Sequence, residues 1–461
     1  MTHDDLARMS REELIQLALE QFEENNKLRA DNEAMRLKLE KGKKPPTNSS
    51  NSSQPPSLDQ KANRPKDRKR HRHGPPTGHV KYERKFVAEP DHIVEVKPQV
   101  CEHCQSDLTK ESSEMVDVNQ ITELPDAKAE VIEVRQYAAE CSCCGKKQIG
   151  QPATGLEMGR TFGARLEGTV VYYRQEQHMS YKRTQSALRD LHGVEISQGG
   201  IDQIMQRGGK SAIAKVAPIQ AEIQKSIVVH CDETGSRVDG QNWWQWVFCS
   251  ASAVLHVIRF DRSVDVIKDV MAGHMVDVWV SDCYSAQMKA PARYRQLCMA
   301  HQLRNLQAVI DRYPASFWPR AMQALFRSAI HLHNKRDQLS PPEFQAQVRR
   351  VEHICNWLLE RSLQIPEAKR LLKRYCKYRN CLFVFLYRTD VNPTNNLSER
   401  YLRPSVVHRK IIGCFRSGWG ARAYAAIASV IATAALNSQS SFKAIQSLFG
   451  SPALPLPVEC E

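Results

Sequence analysis

No unbroken run of small and apolar residues in this chain of 461 residues reaches the length of a membrane-spanning helix. The longest small and apolar run, residues 423–436, falls short of the ~20 residues that a membrane span requires, and a buried helix is the better reading. Residues 1–10 are polar and no apolar core follows them, which argues against a secretory signal. Internal repeats are lacking. Acids are scarce in two stretches. Residues 41–85 hold thirteen Lys/Arg against Asp59, Asp67 and Glu83, and residues 361–422 hold fourteen against Glu367, Asp390 and Glu399. The formal net charge is +14, so the remainder of the chain is net negative. Cations concentrated on an otherwise acidic protein fit a polyanionic partner, because Lys and Arg release condensed counterions from phosphates.

Hydrophobic residues make up 41% of the chain, enough for at least one sizeable core. Fourteen cysteines without a secretion signal predict a reducing, cytoplasmic setting in which thiols serve metal sites or packing.

The pattern divides the chain into segments. Residues 1–40 hold a predicted helix from Ser10, with Glu13 at capping-box spacing. Leu14, Leu28, Met35 and Leu39 fall on a and d heptad positions, and Asn25 and Asn32 sit where a polar residue sets register. A dimerising coiled coil and a lone solvated helix both fit. Residues 41–79 are Pro, Ser and Asn-rich with almost nothing to bury, a basic tether carrying Lys66, Arg68, Lys69, Arg70 and Arg72. Residues 80–155 look strand-like. Residues 156–222 look helical, over 162–178, 181–191 and 198–207, with a turn at His192-Gly193 and Ser197 as an N-cap. That spacing suits a helix-turn-helix as well as an ordinary helical hairpin. From 223 to 449 the pattern predicts a mixed α/β fold: three strands in succession, a helix, two more strands, then helices. Residues 450–461 are a tail.

Two pairs, Cys101 with Cys104 and Cys141 with Cys144, have the C-x₂-C spacing that places two thiolates on one tight turn. Together they would complete a closed, structural Zn²⁺ site in a zinc ribbon. Cys143 leaves the register of the second pair ambiguous, and four packed thiols are the alternative.

Asp232 and Asp282 each follow an apolar strand-like run, and Glu399 lies in the first turns of a predicted helix capped by Asn395 or Asn396. If the two strands are neighbours, the carboxylates converge at one sheet edge. Three carboxylates can hold two Mg²⁺ ions, or Mn²⁺, for in-line displacement at a phosphodiester. Spacing alone leaves Glu233, Asp261 and Asp265 as rival ligands. Trp243, Trp244 and Trp246 could stack on bases, although Trp244 and Trp246 share one strand face and suit a core better. Arg400, Arg403, Arg409, Lys410 and Arg416 form a basic group just after Glu399, suited to DNA phosphates or to a solvated face.

At these residues the sequence resembles the IS66 family of bacterial insertion-sequence transposases. The resemblance is carried in order by Lys43-Lys-Pro-Pro-Thr-Asn-Ser-Ser-Asn-Ser-Ser-Gln-Pro-Pro-Ser57 and the paired cysteines. It continues through His230-Cys-Asp-Glu-Thr-Gly, Trp279-Val-Ser-Asp-Cys-Tyr and Asn395-Asn-Leu-Ser-Glu-Arg-Tyr-Leu. It implies an RNase H-like core with Asp232, Asp282 and Glu399 as the metal-binding triad, and a helical insertion over about 301–385. It also implies double-stranded DNA as partner, with small accessory proteins of the same element. The block Cys298-Met-Ala-His301, with Arg304 one turn on, either helps to position DNA or is a buried thiol beside a capping histidine. A related nuclease or integrase, or a relic core that only binds DNA, are the rival functions.

Overall fold

The structure is a computed structural model that describes residues 47–52, 79, 85–126, 128–153 and 155–450. The expected coiled coil, the basic residues Lys66, Arg68, Lys69, Arg70 and Arg72, and all but the first residue of the tail lie outside the described residues. The chain divides into two compact units, Lys61–Ala129 and Met1–Gln60 with Glu130–Glu461.

The smaller unit holds no named helix or strand among its described residues. The strands expected over 80–155 reduce to β1 (Ala138–Glu140) and β2 (Lys147–Ile149), paired antiparallel. The alternation that suggested more strands is real, but Ile93, Val94, Val96, Met115, Val116 and Val131 stay exposed. Alternation specifies a strand only where a second strand and a core surface are present to receive it.

Among the described residues, four helices precede the main sheet: α1 (Ala164–Val171), α2 (Tyr181–His192), α3 (Gln198–Ala214) and α4 (Val216–Lys225). The single helix expected over 162–178 is α1 followed by a π-turn at Tyr172–Glu176. Ser180 caps α2 by accepting from the Arg183 N–H, Gly193 ends it in the left-handed region, and Ser197 caps α3 by accepting from the Gly200 N–H. Within α3 the first cation is Arg207, and it is committed with Arg160 to the fully buried Glu167.

The sheet has five strands: β3 (Val228–Val238), β4 (Gln241–Cys249), β5 (Val254–Arg259), β6 (Val276–Ser281) and β7 (Ala292–Leu297). Their order is β5-β4-β3-β6-β7. The first three form an antiparallel meander, while β3–β6 and β6–β7 are parallel. This mixed sheet is compatible with the RNase H-like core that the resemblance implied. Asp239-Gly240, both at positive φ, close the β3–β4 hairpin in the two-residue form that matches strand twist. That tight turn lets β3 run to Val238, so Asp232 lies inside the strand rather than just after it.

One face of the sheet buries Cys231, Trp246, Phe248 and Trp279 against α5 (Val264–Met271) and Ile223 of α4. Trp244 packs on this same cluster and Trp243 does not, as strand alternation predicted. The opposite face meets the helices that follow β7. These are α6 (Met299–Arg312), α7 (Phe317–Asn334), α8 (Pro341–Leu359), α9 (Pro366–Lys377) and the short α10 (Val384–Tyr387). Their shared core includes Val278, Val280 and Leu297 of the sheet. The insertion is thus continuous with the core rather than an appendage.

Three helices complete the unit: α11 (Asn396–Ile412), α12 (Gly418–Leu436) and α13 (Ser441–Gln446). By length and composition α12 could cross a membrane, yet most of it is buried in the protein. Its Ser429 and Thr433 hydroxyls accept from the backbone N–H groups of His256 and Val254 at 2.8 and 3.1 Å. An apolar helix thereby covers the β5 edge, whose unpaired N–H groups would otherwise invite another strand.

Candidate active site

The parallel pairing of β3 with β6 sets His230 beside Val280. Carried two residues on, the same register puts Asp232 level with Asp282, at neighbouring strand spacing of ~4.8 Å. Glu399, in the first turn of α11, reaches the same place from outside the sheet. The charges of Asp282 and Glu399 both reach the Asp232 carboxyl. Burial pushes the Asp232 carboxyl well above the usual range, and the charges of Glu233, Asp282 and Glu399 push it further. A cluster of carboxylates around one such group fits hard divalent cations, which prefer oxygen ligands.

The rival acids fall elsewhere. Glu233 points to the opposite face of β3, where its side chain is 1% exposed. There Arg262 holds it at 2.8 Å and the Gln287 amide donates to it at 2.7 Å. Asp265 faces solvent and pairs with Lys268, and Asp261 is exposed.

Asn395 joins the site's elements. Fully buried, it donates its Nδ2 to the Cys231 carbonyl at 2.8 Å, and its backbone N–H donates to the Cys298 thiol at 3.1 Å. Its Oδ1 lies 3.2 Å from His230 Nδ1. An amide oxygen only accepts, so the His230 hydrogen sits on Nδ1. Burial holds that imidazole neutral, its pKa lowered to about 4. One side chain thus ties β3 to the start of α11, four residues before Glu399. The sequence showed Asn395 only as a candidate cap, whereas its side chain leaves the cap position for these contacts.

Cys298 caps α6, and burial raises its thiol to about 11, the behaviour of a packed neutral thiol. His301 Nδ1 stands 3.7 Å from Glu399 Oε1, and Arg304 Nη2 stands 3.4 Å from the same oxygen. Cys298, His301 and Glu399 place their ligand atoms within 4.8 Å of one another. Burial lowers the His301 pKa, with the Arg304 charge acting in the same direction.

A second layer was invisible in the sequence. The Arg262 guanidinium lies 4.3 Å from the Trp244 ring centre and 4.0 Å from that of Tyr284. The Tyr284 hydroxyl donates to the Arg262 carbonyl at 2.7 Å, and its backbone N–H donates to Asp282 Oδ1 at 2.9 Å. Nothing in composition or spacing marks Arg262, because its partners come from three separate elements.

Of the basic group after Glu399, Arg400, Arg403, Lys410 and Arg416 are exposed, while Arg409 bonds Thr234 of β3 at 3.3 Å. The cysteine pairs come from the two compact units, Cys101 and Cys104 from one and Cys141 and Cys144 from the other. Each pair forms its own turn: the Gln105 N–H donates to the Cys101 carbonyl at 2.9 Å, and the Gly145 N–H to the Cys141 carbonyl at 2.8 Å. A hydrogen bond with Ser106 brings the Cys104 thiol down to about 7, and the backbone N–H groups of Cys144 and Cys143 lower Cys141. Lowered thiols suit metal-binding thiolates.

Mixed sheet and acidic cluster together define an α/β protein with a polar site where β6 ends beside the middle of β3. The family model described as Transposase IS66 family matches residues 159–423, more than half of the chain and the whole of this site. The chain belongs to that family of transposases. No curated protein matches it.

Proposed function

We propose that this transposase binds the ends of its element in double-stranded DNA, hydrolyses the 3′ strand end and joins the freed 3′-hydroxyl to target DNA. The observation that carries this reading is the convergence of Asp232, Asp282 and Glu399 from two neighbouring parallel strands and one crossing helix. Divalent cations held by these carboxylates, two Mg²⁺ or Mn²⁺, would activate the attacking oxygen and stabilise the leaving one. In this reading the acids bind and orient, and no side chain serves as nucleophile. Arg304 and His301 set the rotamer of Glu399 from α6. Exposed Arg400, Arg403 and Lys410 hold the phosphates flanking the scissile bond, with Arg409 closer to β3. The basic tract Lys66, Arg68, Lys69, Arg70 and Arg72 adds backbone contact without sequence readout.

The α2–α3 hairpin, a Zn²⁺ bound by Cys101, Cys104, Cys141 and Cys144, dimerisation through residues 1–40, accessory proteins of the same element and a cytoplasmic location complete the proposal. The test uses purified full chain and labelled element-end DNA, with Mg²⁺ or EDTA and with Asp232→Asn beside wild type. Nicked and joined products that need metal and vanish in the variant are the expected result. Nicks without joined products would identify a nuclease instead. Binding with no cleavage, even with the accessory proteins supplied, would identify a relic core.

A further inference from the structure

The Pro/Ser/Asn-rich stretch reads as a tether with nothing to bury, yet residues 47–52 belong to the same compact unit as the sheet. Asn48, Ser49, Asn51 and Ser52 are half-buried. Their turn is built from its own side chains. Asn48 Oδ1 accepts from the Ser50 N–H at 2.8 Å and from the Ser50 hydroxyl at 2.6 Å. Asn51 Oδ1 accepts from the Asn48 N–H at 2.9 Å, and the Ser52 hydroxyl donates to the Asn48 carbonyl at 2.6 Å. With its oxygen used inside the turn, Asn51 directs its amide nitrogen outward, where it donates to Asp311 Oδ2 at 2.8 Å.

Asp311 is a receptive partner. It stands one residue from the end of α6, where the helix dipole disfavours a carboxylate. Its other oxygen accepts from Gln307 at 2.6 Å, which fixes the direction in which Oδ2 faces. A neutral amide donor arriving from outside the helix completes the carboxylate's hydrogen bonding.

We propose that residues 48–52 are a docking element of this chain, a turn that seats on Asp311 of α6 and fixes the point from which the N-terminal arm departs. The tether is then two tethers with a pinned point between them. Lys61, where the basic tract begins, is ten residues beyond Asn51, so its leash is at most ~35 Å. Along α6, Asp311 is seven residues from Arg304, about 10 Å. Pinning keeps the start of the arm's charge on a short leash from the helix that carries His301 and Arg304, instead of letting it range freely.

Hydrogen exchange on the free full-length protein, without DNA or metal, tests this independently of the transposition reading. Asn51→Asp is the informative variant, because a carboxylate retains the acceptor inside the turn but loses the donor and repels Asp311. Peptides covering residues 47–52 should be protected in wild type and exchange roughly tenfold faster or more in Asn51→Asp, the scale of a lost hydrogen bond to a charged group. Asp311→Ala should loosen the same peptides to a similar degree, and the double variant should add little. No protection in wild type, or protection unmoved by Asn51→Asp, would overturn the proposal. Protection that fades on dilution would assign the contact to a second copy and also overturn it.

Discussion

Asn395 shows how much one side chain can organise. It bonds the Cys231 carbonyl and His230 on β3 while starting the helix that carries Glu399. Asn395→Ala leaves the Cys231 carbonyl and His230 without these partners inside the protein, a loss of about 1–3 kcal/mol per buried group. If Asn395 positions Glu399, the same change should raise the Mg²⁺ concentration needed for half-maximal cleavage. A stability loss with an unchanged Mg²⁺ requirement would mean that Asn395 only holds the fold. At this scale residue type and spacing marked Asp232, Asp282 and Glu399 only among several candidate acids, and the family resemblance singled them out. Arg262, Tyr284 and Gln287 were not legible, because their roles arise from contacts between elements distant in sequence.

At the scale of elements, the crossing of α3 with α12 depends on a missing side chain. A Cβ at Gly209 would stand 2.6 Å from the Ala423 Cβ and 3.5 Å from its Cα. Since Ala423 sits on a helix buried over most of its length, the backbones themselves must part. Gly209→Ala should therefore destabilise the protein by about 1–3 kcal/mol, despite the better helix propensity of alanine, and denaturant midpoints would show it. An unchanged or higher midpoint would mean that the crossing yields freely. Sequence periodicity found all five strands of the main sheet in order, but it ended the first before Asp232, whereas β3 runs on to Val238. It ended α3 at 207, whereas the helix runs on through Gly208-Gly209 to Ala214, where tertiary packing overrides the low helix preference of glycine. It also over-read strands in the segment from 80, where the described residues between 85 and 137 form none. A hairpin of ordinary length with glycine at its turn cannot be separated from a DNA-reading helix pair by pattern alone.

At the scale of the whole molecule, burial neutralises histidines contributed by distant parts of the chain. His256, on β5, is held neutral with its pKa lowered to about 4, and His408, on α11, to about 3. Burial is the main cause at both, joined at His408 by the charges of His178 and Arg174. In the unfolded chain both take up a proton below about pH 6.5. Protons therefore favour the unfolded state as pH falls from about 6.5, and the cost at His256 levels off near pH 4 at about 3 kcal/mol. The buried carboxyls of Asp232 and Glu233, raised in pKa, act in the opposite sense. Comparing wild type with His256→Gln cancels them: the stability of wild type relative to the variant should decline between pH 6.5 and 4. A constant difference would show that His256 is protonated in the folded protein.

The distribution of the acidic trio along the chain also has a consequence for biosynthesis. Asp232 and Asp282 fall on adjacent strands, but Glu399 arrives only after the helices from Met299 to Tyr387 have been made. At ~5–20 residues per second, a ribosome needs roughly six to twenty-odd seconds to travel from Asp282 to Glu399. During that interval the nascent chain carries two of the acids without the third. Premature termination within the insertion would release a chain that lacks not only Glu399 but also α11 and α12, whose Leu402 and Ala432 pack on the sheet.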